Sequence, residues 1–254
     1  MDGFIVSGAD LQLIPRLYVP LLETCVSTLT ATVEGPVSIY LYGSVATGRA
    51  SPPASDLDLL VVTQDDTASD DIKACAANLT TRFSGLVHDV GIAHVTLDEL
   101  FADNLDALGN RCFIKHYCVP VHGDDLRLRL PACRPSATLA WAFNHNIAAA
   151  IDRAREQLDL TTTGDDVREV CRAAARKVLL AAASLTSVLT SSWTTDRARA
   201  AAFIADAYPE WAHDATVGLA WSRTPIDDPT AVRRFLDGFA TWVAQQLQIT
   251  SSPG

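Results

Sequence analysis

The chain has 254 residues, 48% of them apolar and 20% charged, the balance of an ordinary globular protein with room for one large domain or two modest ones. Its formal net charge is −10, which argues against a broad basic face for duplex nucleic acid, because phosphate neutralisation needs clustered Lys and Arg. A local basic pocket for a single triphosphate stays compatible with that balance.

In chain order, residues 10–33 carry Leu11, Ile14, Leu17, Leu21, Leu22, Val26 and Leu29 at helical spacing, with Pro20 expected to kink or break the helix. Gly35-Pro36 ends it, and Val37 to Tyr42 reads as a strand rich in β-branched and aromatic residues. Gly43 to Ser55 reads as a loop, Asp56 to Val62 as a second strand and Asp70 to Phe83 as a helix. A third strand is expected over Leu86 to Thr96, where Gly91 marks a close backbone approach. Thr96 and Glu99 form a capping-box signal, and Tyr117 to His122 reads as a short strand.

Beyond Pro131 the pattern changes to helices alone, roughly 136–158, 165–191, 195–208, 213–222 and 229–247, the last opened by Asp228-Pro229. With Pro131 and Pro135 bracketing a linker, the expected fold class is α+β: a small mixed-sheet domain over 1–130, then an all-α bundle over 131–254. Met1-Asp2-Gly3-Phe4 lacks the basic and apolar regions of a secretory signal, and the apolar run Val178 to Leu189 is short for a bilayer. Six scattered cysteines show no C-x-x-C pair and no zinc-like spacing. The expectation is a cytoplasmic chain with reduced thiols and no membrane partner; oligomeric state is not legible.

The chemistry concentrates in Gly43-Ser44 and Asp56-Leu57-Asp58. Residues two apart on a strand share a face, so Asp56 and Asp58 point together while Leu57 and Leu59 point into the core. Two adjacent carboxylates repel unless they share divalent cations, and Mg2+ suits them: it takes a few carboxylate oxygens, then water and phosphate oxygens. Gly43 permits a phosphate to approach the backbone, the Ser44 hydroxyl and nearby N–H groups can donate to it, and Arg49 adds a cation. Asp89, in an otherwise mainly apolar stretch expected to be a buried strand, is a third acid that needs a partner.

Leu41-Tyr-Gly-Ser-Val-Ala-Thr-Gly48 with Ser55-Asp-Leu-Asp-Leu-Leu-Val-Val62 resembles the signature of the polymerase-beta-like nucleotidyltransferase superfamily. The likeness extends through Asp89 to Leu100 and, more weakly, over Val119 to Leu126; with helices following, the layout resembles the aminoglycoside nucleotidyltransferases. By that resemblance Gly43 and Ser44 hold a triphosphate, Asp56 and Asp58 bind Mg2+, and Asp89 binds metal or acts as base on the acceptor hydroxyl. The implied reaction moves a nucleoside monophosphate, AMP from ATP first, to a hydroxyl of an aminoglycoside-like antibiotic and releases pyrophosphate. Alternatives are a toxin–antitoxin type enzyme acting on a protein or transfer RNA, and a non-catalytic nucleotide-binding member.

In such relatives a helical-domain cation often reaches the triphosphate, which makes Arg176 and Lys177 nucleotide-binding candidates. The competing reading is a solvated helix face with Glu169 pairing Arg172, and for Lys177 a snorkelling side chain. His88 and His94 alternate away from Asp89 and read as packing or surface residues, Asp124-Asp125 as a solvated turn, and the five tryptophans mostly as core.

Overall fold

The computed structural model describes residues 3–251, in two compact units that separate after Cys133, the few residues before Val6 grouping with the second. Two 3-10 turns (Leu11–Leu13 and Arg16–Tyr18) open the first unit and lead into helix α1 (Val19–Thr32). Pro20 does not kink this helix; it lies in the first turn, where its missing N–H has no intrahelical acceptor to lose. Strand β1 (Val37–Tyr42) runs straight into one helical turn, α2 (Gly43–Ala46), and β2 (Leu57–Thr63) and α3 (Ser69–Arg82) follow.

Strand β3 (Val90–Thr96) is shorter than its apolar pattern suggests, because residues 86–89 form a turn and an entry segment. Helix α4 (Leu97–Phe101) opens on the expected capping box, Thr96 Oγ1 taking the Glu99 N–H at 3.1 Å. Helix α5 (Leu105–Tyr117), which sequence periodicity did not single out, and β4 (Val119–His122) complete the unit.

The sheet has the order β3-β2-β1-β4, with β1 antiparallel to β2 and β4, and β2 parallel to β3. Both faces are covered, which is why its strands read as near-continuous apolar runs. Ile39, Leu41, Leu57, Leu59 and Val61 pack with α1 and α3 residues such as Leu21, Leu29, Ile72 and Leu79. Tyr40, Leu60, Val62 and Val95 pack with Leu100 and Ile114 on the other face. Asp58, in step with Leu60 and Val62, belongs to that second face.

The second unit is helical: α6 (Ala137–Asn144), α7 (Ile147–Leu160), α8 (Gly164–Thr190), α9 (Arg197–Ala207), α10 (Ala212–Trp221), α11 (Pro229–Phe235) and α12 (Thr241–Ser251). The pattern over 136–158 is thus two helices, broken at His145-Asn146. A π turn (Leu236–Ala240) interrupts the expected helix over 229–247. The Leu236 carbonyl there is satisfied by the Thr241 hydroxyl at 2.8 Å and the Arg155 guanidinium at 3.1 Å. Helix α8 has 27 residues and passes a length and composition test for a membrane span, yet 56% of that apolar window is buried in the protein. Its Val170, Ala174, Val178, Ala182 and Leu185 form the centre of the helical core, so its apolar character serves packing. Trp141, Trp211, Trp221 and Trp242 pack against the same core, and Trp193 lies against Phe143.

Candidate active site

Three strand ends meet on one side of the sheet. Antiparallel pairing sets Tyr42, the last residue of β1, opposite Asp58 near the start of β2. Parallel pairing sets Leu57 opposite Val90 and Asp58 opposite Gly91, and the Leu57 N–H donates to the Asp89 carbonyl at 2.9 Å. Asp56 and Asp89 therefore precede neighbouring positions of two parallel strands, with Asp58 one step further in. Register alone brings the three acids of the sequence reading to one sheet end.

The glycines there serve the carboxylate as much as any substrate. A Cβ on Gly43 would stand 2.2 Å from Asp58 Oδ2, and Gly43 has a φ of +74°, so both space and backbone require glycine. A Cβ built on Gly91 meets Asp58 Oδ1 at 3.4 Å. Ser44 follows in α2, half-buried, and Arg49 is exposed beyond it. The Ser44 carbonyl takes the Arg49 N–H at 2.9 Å, which closes the turn.

Negative charge is concentrated at this end. Burial, then the charges of Asp56 and Asp89, push the Asp58 carboxyl up to about 6. Asp56 Oδ1 is buried and has no hydrogen-bond partner, a state that costs free energy unless something is bound there. Asp89 is exposed, contrary to the expectation of a buried acid, because it precedes the strand rather than lying in it. Its Oδ1 accepts from the Thr80 hydroxyl at 2.7 Å, and Thr80 Oγ1 takes the Val90 N–H at 2.9 Å. An orphaned carboxylate oxygen, a crowded neighbour and a third acid within electrostatic range are hard oxygen donors that fit a divalent cation.

Tyr42 is the residue that sequence reasoning missed. Burial and then the charge of Asp58 raise its phenol, keeping it protonated beside the acids. Its ring stands edge-on to Phe113 at 4.9 Å. Strand pairing with Asp58 is what gives it this place, and no local pattern reports that pairing.

The histidines flanking Asp89 lie elsewhere. His94 Nε2 is 2.6 Å from the Thr63 hydroxyl and His88 is exposed. Asp125 is not a simple solvated turn: it caps the 3-10 turn Leu126–Arg129 and holds the Arg127 guanidinium at 2.8 and 2.9 Å.

In the helical unit Arg176 and Lys177 diverge. The Arg176 Nε donates to the Ser222 carbonyl at 3.3 Å. Burial lowers the Arg197 guanidinium from its ordinary value, and the charges of Arg176 and Arg223 add to this, so three guanidiniums gather from α8, the start of α9 and the end of α10. Neither Arg197 nor Arg223 stood out in the sequence. Lys177 points toward α7 instead, lining a cavity of about 170 Å3 with Arg153, Gln157 and Leu236. Burial and the Arg153 charge lower its ammonium. Asp165 is engaged by Arg168 at 2.7 Å and Asp166 by the Thr163 capping box, and no Glu169–Arg172 ion pair forms among the described residues.

The family described as a nucleotidyltransferase domain matches residues 22–100, the stretch that holds β1, α2, β2, β3 and all three acids. The chain carries a nucleotidyltransferase domain. That match supports reading the chain as a nucleotidyltransferase enzyme similar to the polymerase-beta-like nucleotidyltransferases. Among solved structures the fold is similar to spectinomycin adenyltransferase AAD(9) from Enterococcus faecialis, crystallised with ATP and spectinomycin. That likeness covers 90% of this chain and 98% of the other at 14% identity, with a TM-score of 0.62, and is one of fold. No curated protein sequence matches the chain significantly.

Proposed function

We propose that this nucleotidyltransferase moves AMP from ATP to a hydroxyl of a small aminoglycoside-like antibiotic, releasing pyrophosphate, with Mg2+ held by Asp56, Asp58 and Asp89. The observation that carries the proposal is the buried Asp56 Oδ1 with no partner, beside an Asp58 carboxyl pushed up to about 6. Bound divalent cations supply charge neutralisation for the entering and leaving oxygens of an in-line displacement at phosphorus.

The chain's own groups do the rest by position and charge. The half-buried Ser44 hydroxyl and the turn that follows Gly43 offer donors to phosphate oxygens. Asp89 is exposed, and its Oδ2 is clear of the Thr80 hydroxyl that binds Oδ1. It is placed to accept the proton of an acceptor hydroxyl. The Tyr42 phenol stays protonated beside Asp58. Within the helical unit, Arg176, Arg197 and Arg223 concentrate positive charge that the phosphates of a nucleotide would relieve. Support for the adenylyl donor and an antibiotic acceptor comes from the fold shared with an enzyme crystallised with ATP and spectinomycin. A nucleoside triphosphate donor also fits a cytoplasmic setting.

The test is pyrophosphate release from each nucleoside triphosphate with Mg2+, across a panel of aminoglycosides and aminocyclitols, with Asp56→Ala as control. ATP-dependent modification of one acceptor, abolished by Asp56→Ala, is the expected result. Turnover that survives Asp56→Ala overturns the metal assignment, and labelling of a protein or transfer RNA with no small-molecule turnover overturns the acceptor class.

A further inference from the structure

A second group of metal-ligating side chains lies away from the acids, on the C-terminal half of α5. Cys112 and His116 are four residues apart on that helix and therefore share a face. Cys133, the last residue of the first unit, comes to the same place from the segment after the 3-10 turn Leu126–Arg129. One donor atom from each of Cys112, His116 and Cys133 lies within 4.8 Å of the other two, the only such group of three among the described residues. Scattered cysteines had suggested no metal spacing; the chain fold, not the sequence interval, makes this one.

We propose that Cys112, His116 and Cys133 form a site for a borderline-soft divalent cation of the zinc class, which fastens the end of the first unit's chain to α5. Two thiol sulfurs and an imidazole nitrogen are the donors that zinc selects and that Mg2+ declines. Cys112 is fully buried, while His116 and Cys133 are half-buried, so the site is sheltered yet open to entry. The thiols are free.

The anchoring is already half built. The Cys133 N–H donates to His116 Nε2 at 2.7 Å, and the Ser7 hydroxyl donates to the His116 carbonyl. Ser7 and Cys133 stand beside the two points where the chain leaves this unit, so both exits are tied to one turn of α5. Capture of M2+ by the two thiols forms two metal–sulfur bonds and releases two protons to solvent, with no change of oxidation state. Should the metal take His116 Nε2, loading exchanges the backbone hydrogen bond there for a metal–nitrogen bond. Three protein ligands leave one coordination position for water.

The experiment is titration of the reduced full chain with Co2+, then Zn2+ displacement, followed by absorption and by thiol reactivity. Expected are one equivalent of Co2+ with thiolate charge-transfer bands and d–d bands of tetrahedral intensity, and slowed modification of two thiols when Zn2+ is bound. Cys133→Ser and His116→Gln weaken binding by at least about tenfold, and Cys75→Ser leaves it unchanged. Cys133 is half-buried, so its variant carries the test even where Cys112→Ser fails to fold. A featureless octahedral cobalt spectrum, or tetrahedral binding that survives Cys133→Ser, overturns the proposal. So does a reduced protein that binds no metal while its oxidised form joins Cys112 to Cys133. The readouts are spectroscopic and independent of nucleotidyl transfer, so failure here leaves the acid site's assignment standing.

Discussion

The acidic sheet end and the guanidinium group of the helical unit have opposite signs but the same physical character. At the first, Asp58 is crowded by Asp56 and Asp89; at the second, Arg197 is crowded by Arg176 and Arg223. Each gathers like charges, and each is shifted toward its neutral form mainly by burial. A protein selected for stability alone would pair or disperse such groups. Under the proposed function each cluster would be completed by something outside the chain: a cation at the carboxylates, an anion at the guanidiniums. They differ in precision. The acids are placed by strand register and two glycines, whereas the guanidiniums come from three separate helix termini and faces on long side chains.

That difference ranks the expected effects of substitution. Asp56→Ala removes an oxygen donor that nothing else replaces and lowers the rate of pyrophosphate release by about 10^3-fold or more, roughly 4 kcal/mol. A smaller loss, measured under saturating acceptor and Mg2+, would make Asp56 dispensable and the acidic end less exacting than its geometry implies.

Gly43→Ala comes next. The new Cβ collides with the Asp58 carboxylate at a backbone angle of +74°, which costs about 2–4 kcal/mol of stability. Urea unfolding should show a lower midpoint with an unchanged slope, together with loss of transfer.

Asp58→Asn moves stability the other way. In cation-free protein the Asp58 carboxyl stands at about 6, above its ordinary value. Its protonated form therefore favours the fold; that contribution is full below about pH 4 and is lost as pH rises through 6. Relative to the parent, Asp58→Asn should gain stability across this window, reaching about 2 kcal/mol at pH 7. Mg2+ should erase the gain by stabilising only the parent. Thermal melts in chelator at pH 4 and pH 7 check it; a gain equal at both would locate the effect in packing.

Arg197→Ala has the smallest expected effect, about a tenfold rise in KM for ATP, or about 1.4 kcal/mol, with kcat little changed. Arg176 and Arg223 remain to share the anion, and long flexible side chains compensate for one another more readily than strand-borne acids do. A loss in kcat as large as that of Asp56→Ala would show that the guanidiniums are placed as exactingly as the carboxylates.

Much of the acidic end was legible beforehand. Alternation puts Asp56 and Asp58 on one face from the sequence alone, and the strands Val37–Tyr42 and Leu57–Thr63 follow from their β-branched, apolar content. Asp89 was found by its oddity in an apolar stretch, although that stretch misplaced it inside the strand. An apolar run measures burial, and Val87, with the partly buried Leu86, is covered in a turn rather than in a sheet ladder. Helix α5 escaped notice, and Pro20 was read as a kink when it begins a helix.

What the sequence determined by itself was local: which residues suit strands or helices, where charge lies beside charge, and that Gly43-Ser44 and Asp56-Leu57-Asp58 form the candidate site. The tertiary structure decided what those residues meet. It set Tyr42 and Gly91 against Asp58, made the absent Cβ of Gly43 a seat for that carboxylate, and gathered Arg176, Arg197 and Arg223 from distant helices. The physical reason is the same throughout. Periodicity reports the face a side chain shares with its own segment, whereas register and helix packing choose the neighbours on that face.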